Sequence, residues 1–250
     1  MKQIKVLVIS GLVVSLAACT WWGDEEERSP YEGTPAKQLY HDAKQQLSKK
    51  EYTAAIKRLE ALETMYPFND YAEQAEIDLI DAYYQKADYP STAATAERFI
   101  HLYPRAKRVD YAYYMKALAN FQQTRGTLAN ILPMDESWRD PGTQSQAYSD
   151  FATLVQRFPN SRYKANALQR MIYLRNLFAQ RELNASNYYF ERKMYVAAAG
   201  RASYLIKTYP QAPSAQAALA NLYRANLAMG LTKAADDALA VYQATYHRQP

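Results

Sequence analysis

At 250 residues, with 30 Lys and Arg against 25 Asp and Glu, the chain carries a formal charge of +5 that no local stretch concentrates. A nucleic-acid surface would show a basic stripe, so that class is excluded. Seven glycines beside 23 tyrosines and abundant Ala and Leu favour helices over sheets.

The chain opens with Lys2 and Lys5, an apolar run from Val6 to Leu16, and Leu16-Ala17-Ala18 ahead of Cys19. A positive start, a short apolar stretch and a small-residue site make an export signal over residues 1–18. The run is shorter than the roughly 20 apolar residues a membrane span needs, which disfavours a transmembrane anchor that happens to contain a cysteine. Leu-Ala-Ala-Cys resembles the bacterial lipobox. That resemblance implies cleavage before Cys19 and its acylation by diacylglycerol and an amide-linked chain such as palmitate. Stable anchoring needs more than one acyl chain, at ~0.8 kcal/mol per buried methylene, and a triacylated cysteine meets that need. Thr20 in place of Asp favours sorting to the outer membrane, so the mature chain should be lipid-anchored there, facing the periplasm. Cys19 is the sole cysteine, so no disulfide forms within the chain and no thiol remains after lipidation.

Residues 19–35 read as a lipidated flexible tether. They hold Asp24, Glu25, Glu26, Glu27, Pro30, Gly33 and Pro35 without an apolar period, and cannot bury a core. Two readings of Trp21 and Trp22 stand: indoles at the membrane interface, or a plain spacer.

From Ala36 a repeat sets the fold. Tyr66-Pro67, Tyr103-Pro104, Phe158-Pro159 and Tyr209-Pro210 punctuate the chain at spacings of 37, 55 and 51 residues. Fifteen positions before the prolines stand Tyr52, Tyr89, Gln144 and Tyr195, and five before stand Leu62, Phe99, Leu154 and Leu205. Eight after come Ala75, Ala112, Ala167 and Ala218, and fifteen after come Ala82, Ala119, Leu174 and Ala225. A helix runs up to the aromatic residue and the proline ends it. The next helix carries alanine where another backbone must approach closely. Each helix pair leaves an apolar face bare, so neighbours must stack. The expected fold is all-α, an α-solenoid of about five units resembling the tetratricopeptide repeat, whose period is about 34 residues. The first unit pairs Ala36–Lys50 with Tyr52–Tyr66, and the last pairs Ala212–Met229 with Thr232–His247. Amino-terminal repeats span 36–124, an inserted loop 125–142, and carboxy-terminal repeats 143–250. The second long spacing is expected to come from a longer helix near Lys164–Leu183 plus a short segment around Ser186–Arg192.

Chemistry is sparse. His41, His101 and His247 fall in different repeats without metal-ligand spacing. No glycine-rich loop precedes a helix and no serine sits in a nucleophile elbow. No enzyme activity, cofactor or metal is expected. The tyrosines are the outlier. Tyr52, Tyr89 and Tyr195 recur at one repeat position and read as core packing, whereas Tyr71, Tyr111 and Tyr163 follow the prolines and are candidates for a concave peptide-binding face.

Several stretches go beyond a generic repeat. Tyr66-Pro67-Phe68 with Tyr71, Asp78-Leu79-Ile80, Ala82-Tyr83-Tyr84, Arg98-Phe99-Ile100 and Val109 to Met115 resemble the BamD (ComL) family, lipoprotein subunits of the outer-membrane β-barrel assembly machine. Trp138-Arg139-Asp140-Pro141 matches that family's inserted loop. Phe158-Pro159-Asn160-Ser161 with Tyr163, and Tyr188-Tyr189 through Tyr195 to Arg201, complete the likeness. Glu191 to Met194 departs from it, standing where relatives have a glycine before the aromatic residue.

The resemblance implies a non-catalytic scaffold. Its amino-terminal repeats would receive unfolded outer-membrane proteins, with Tyr66, Phe68, Tyr71 and Tyr111 as the peptide site. Its carboxy-terminal repeats would dock on the POTRA region of BamA through Arg201, Arg139 and Asp140, beside other lipoproteins of the machine. In relatives the arginine after the Ala-rich stretch contacts an acidic residue of the last POTRA domain. Arg201 stands nine positions before Pro210, beside the stripe of Ala198, Ala202 and Leu205, in the register of Arg58, Thr95 and Asp150. Two rivals are a tetratricopeptide lipoprotein for pilus (secretin) assembly, which would keep near-regular spacing, and a periplasmic cell-wall enzyme, which would need a site.

Cys19→Ala is expected to release the protein from membranes or leave its signal uncleaved. Fractionation with an immunoblot checks this; a mature variant still in the outer-membrane fraction would show that another element holds it.

Overall fold

The computed structural model describes residues 30–125 and 141–250. Cys19, Trp21, Trp22, Arg139 and Asp140 lie outside the described residues, as do most of the tether and of the inserted loop. Among the described residues there are ten helices and no strand. They are α1 (Ala36–Ser48), α2 (Tyr52–Met65), α3 (Ala72–Gln85), α4 (Tyr89–Leu102), α5 (Val109–Arg125), α6 (Gly142–Arg157), α7 (Lys164–Glu191), α8 (Tyr195–Thr208), α9 (Ala215–Ala228) and α10 (Thr232–Tyr246). Each helix packs on the next, which gives five two-helix units. The first helices of neighbouring units also touch, α3 with α5 and α7 with α9, which sets them on the inner side of the stack.

The aromatic-proline pairs end the second helices in one repeated geometry. Tyr66, Tyr103, Phe158 and Tyr209 adopt φ between −136° and −125°, and each donates its N–H to the leucine or phenylalanine four residues back. Proline follows, has no N–H to continue the helix, and pushes its predecessor out of the α region. Two residues past each proline, the N–H of Asn69, Ala106, Ser161 or Ala212 returns to the carbonyl of that aromatic residue. The chain thereby turns into the next first helix at the same place in every unit.

The alignment on the prolines is a map of burial. Leu62, Phe99, Leu154 and Leu205 are fully buried, as are Ala82, Ala119, Leu174 and Ala225. Ala112, Ala167 and Ala218 expose nothing, and Ala75 exposes 3%. The clusters these residues form join adjacent units: Leu59 and Leu62 pack with Ala75, Leu79 and Ala82, and Phe151 and Leu154 with Ala117, Ala167 and Leu174. Each buried Leu or Phe contributes about 1.5–3 kcal/mol, and that burial exists only while the units stay stacked.

One expectation is corrected. The segment around Ser186–Arg192 is no separate piece; α7 runs unbroken through 28 residues, from Lys164 to Glu191. No proline or glycine interrupts it. Its polar residues are tied instead to neighbouring helices: the Ser186 hydroxyl donates to the Ala198 carbonyl at 3.0 Å and the Asn221 amide to Asn187 Oδ1 at 2.5 Å.

Within four of the units, the turn between the two helices needs a left-handed residue. Lys50, Ala87, Lys193 and Gly230 lie at φ 59° to 72°. The next residue donates to the carbonyl five residues back, Glu51 to Gln46, Asp88 to Tyr83, Met194 to Tyr189 and Leu231 to Asn226, the Schellman arrangement. Only Gly230 adopts it without a Cβ penalty, which for other residues is roughly 1–2 kcal/mol. The departure at Lys193 therefore preserves the turn and costs strain. Ala87→Gly is expected to raise unfolding stability by about 0.5–1 kcal/mol, the relieved strain less the entropy that glycine adds to the unfolded chain. The urea midpoint checks it; a fall would show that Ala87 is unstrained.

Candidate functional site

Two concave surfaces stand out, one at each end of the stack. The amino-terminal one is a cavity of about 500 Å³ between the end of α2, the Pro67 turn, α3 and the end of α4. Leu62, Ala72, Ala75, Leu79, Leu102 and Tyr103 line it, and Phe68 stands at its edge. The proline turn holds Phe68 out of the core: its side chain is 100% exposed, and Leu102 is 58% exposed. Large apolar side chains left this open in a compact protein mark interaction surface.

The polar wall of this cavity is a charge cluster. Arg98 grips Glu76 with two hydrogen bonds, at 2.9 and 3.1 Å, and Glu63 with a third at 2.7 Å. Glu76 is buried at 3% exposure. Two carboxylates share one guanidinium, and burial together with the neighbouring Glu76 raises the Glu63 pKa against the pull of Arg98. Such a cluster fixes geometry more than it adds stability. It ties α2, α3 and α4 into one wall.

The four aromatics expected at the peptide site do not form one cluster. Phe68 alone faces the cavity openly. Tyr66 packs on the first unit's core and donates its hydroxyl to the Thr34 carbonyl at 3.0 Å. Tyr71 stacks on Tyr40 at 4.8 Å between ring centres. The Tyr40 pKa is pushed up to about 12 by burial and by Asp78, which accepts its hydroxyl. Tyr111 donates to the Asp81 carboxylate, lies 5.5 Å from the Tyr163 ring, and has the Arg108 guanidinium over its face at 4.8 Å. Burial, and next the charge of Asp81, raise its pKa. Tyr163 stacks in turn on Tyr114 at 4.6 Å. The post-proline tyrosines thus rivet units together. Tyr52, Tyr89 and Tyr195, by contrast, sit half-buried at the turns within units.

Two acids to which sequence reasoning gave no structural part fix helices against one another, Asp78 between the first two units and Asp150 within the third. Asp78 is 5% exposed and accepts from Lys44 at 3.0 and 3.1 Å and from Gln74 at 3.0 Å. Asp150 accepts from Asn120 at 2.6 Å and Gln146 at 3.0 Å, with Lys116 3.6 Å away. A signal was available: Glu76 and Asp78 interrupt a run of Ala75, Ile77, Leu79 and Ile80, and acids among buried apolar residues need partners.

At the carboxy-terminal end, Ala198, Ala202 and Leu205 are the buried stripe of α8. Arg201 lies beside it with a side chain 49% exposed, its Nη1 3.2 Å from Glu182 Oε2 on α7. The same register is buried in two other units, as Thr95 and Asp150 at 4% and 7% exposure. Arg58 turns inward on its own helix, donating to the Ala54 carbonyl at 3.1 Å and lying over the Tyr31 ring. Arg201 is thus the exposed cation of this register. Glu182 also borders a second cavity of about 490 Å³, which reaches Tyr148, Arg175, Phe178, Arg181 and Tyr209. Burial and Tyr204 push the Tyr209 pKa up to about 12.

Comparison with known proteins points one way. A family model described as outer membrane lipoprotein, YfiO, matches residues 32–241. Outer membrane protein assembly factor BamD of Vibrio cholerae is 36% identical over 230 residues, covering 92% of this chain and 94% of that protein. BamD of Xylella fastidiosa is 35% identical over 236 residues, covering 94% and 80%. BamD of Neisseria meningitidis is 34% identical over 250 residues, covering 100% and 93%.

Proposed function

Since this chain belongs to the YfiO family of outer membrane lipoproteins, we propose that it is a non-catalytic scaffold of outer-membrane protein assembly, anchored through Cys19 and facing the periplasm. The observation that carries this reading is the match, over nearly the whole chain, to relatives named outer membrane protein assembly factor. The amino-terminal cavity receives an unfolded outer-membrane protein. An apolar hollow of about 500 Å³ with an exposed phenylalanine at its edge suits an aromatic side chain of an extended strand. Charge supports a strand that is neutral or basic there, because Glu63 and Glu76 share the single cation Arg98.

The carboxy-terminal units dock on the POTRA region of BamA through Arg201. Its guanidinium is anchored by Glu182 on one edge and half-exposed, so it can still grip a carboxylate of the partner with two hydrogen bonds. Arg139 and Asp140 of the inserted loop join this contact, and other lipoproteins of the machine assemble beside it.

A photocrosslinker at Phe68 is expected to capture a peptide copying the last strand of a barrel protein. Capture of the peptide by crosslinkers placed within residues 186–247 but not by the one at Phe68 would refute the amino-terminal assignment. Arg201→Glu is expected to weaken co-purification of BamA at least about tenfold with helix content unchanged, as breaking a partly buried charge pair does, while Arg58→Glu leaves it intact. Equal effects, or none from Arg201→Glu, would remove Arg201 from the interface.

A further inference from the structure

The second cavity lies between α6, α7 and the end of α8. Its floor is a row of rings: Tyr148 and Phe178 are 6.2 Å apart between centres, Phe178 and Tyr209 6.4 Å. Above the floor stand Arg175 and Arg181. Arg175 is held in place by Gln211 Oε1 at 3.1 Å and by Asn176 Oδ1 at 3.2 and 3.4 Å. Those partners are neutral amides. They orient the guanidinium and leave its charge uncompensated.

Glu182 is the acid on the lining, and its carboxylate is taken up by Arg201. One contact therefore does two things. It withdraws the negative charge from the cavity, and it makes the cavity continuous with the surface on which Arg201 docks. Beneath the same wall, Arg181 approaches Gln144 Oε1 at 3.5 Å, while the buried Gln144 Nε2 has no hydrogen-bond partner. Gln144 occupies the position at which three other units carry tyrosine, so a buried amide stands here in place of a ring.

We infer that this cavity is a second contact of the docking surface, taking a loop of the same folded partner that carries an acidic residue next to an apolar one. The inference rests on the docking role of Arg201 given above. The Arg175 guanidinium over an aromatic floor selects that pairing: the carboxylate meets Arg175, and the apolar neighbour lies on Phe178 and Tyr209. A volume of about 490 Å³ admits one or two side chains.

The test uses the full-length protein in mild detergent, titrated with the purified periplasmic region of the barrel subunit. Arg175→Glu is expected to weaken binding about tenfold, and Arg175→Lys, which keeps the charge, to weaken it less than threefold or so. A photocrosslinker at Thr208, on the cavity rim, is expected to capture an acidic stretch of the barrel subunit, and this readout stands even if Arg175→Glu unfolds. Loss of binding by Arg201→Glu with Arg175→Glu unaffected would overturn the cavity contact and leave the docking role standing. No loss by Arg201→Glu would overturn the docking role, and the cavity contact with it. Thr208 crosslinks to substrate or to another lipoprotein would also overturn the inference.

Discussion

Close approach of helices at a single small residue governs this molecule. Ala75, Ala112, Ala167 and Ala218 occupy one register, and all are buried where one unit meets the next. Helix axes can come to the near end of the 8–10 Å range only where side chains stop at Cβ. That approach lets the preceding unit's Leu62, Phe99, Leu154 or Leu205 reach full burial. A two-helix unit alone has too little core to persist, so stability, curvature and the spacing of the surfaces all follow from this contact.

Polar groups refine what the alanines permit. Apolar faces slide past one another with little penalty, whereas Asp78 satisfies its bonds to Lys44 and Tyr40 of the preceding unit at one registration only. A buried acid left without partners costs several kcal/mol, so slippage between units is disfavoured even where the hydrophobic gain would survive it. The tyrosines act similarly, with Tyr111 and Tyr163 joining ring contact to hydroxyl bonding across units. Their abundance reflects rigidity more than ligand contact.

The stack carries two hollows of different chemistry. The cavity beside Phe68 is apolar with acids on its wall; that beside Arg201 is aromatic with cations on its wall. Their walls thus carry charge of opposite sign. A charged ligand suited to one hollow would therefore be disfavoured at the other, because like charges brought together cost affinity.

The repeat, its helical class and the buried register were legible from spacing alone, because a proline stop and an alanine contact act locally and recur. Phe68 was singled out only through the family resemblance, and its full exposure follows from the proline turn that holds it off any helix face. The surroundings of Tyr66, Tyr71 and Tyr111 were not legible: Tyr66 adjoins the same proline as Phe68, Tyr71 and Tyr111 follow theirs by four and seven residues, and only the tertiary structure supplies Thr34, Tyr40 and Asp81 as their partners. Arg201 could be placed beside a buried stripe, yet its exposure depends on Glu182, nineteen residues away on another helix. The continuity of α7 beyond Leu183 was hidden likewise, because polar Ser186 and Asn187 suggest a break until Ala198 and Asn221 supply their partners. Local sequence determines which residues can be buried or bonded; only the stacked units bring together the groups that decide which ones are.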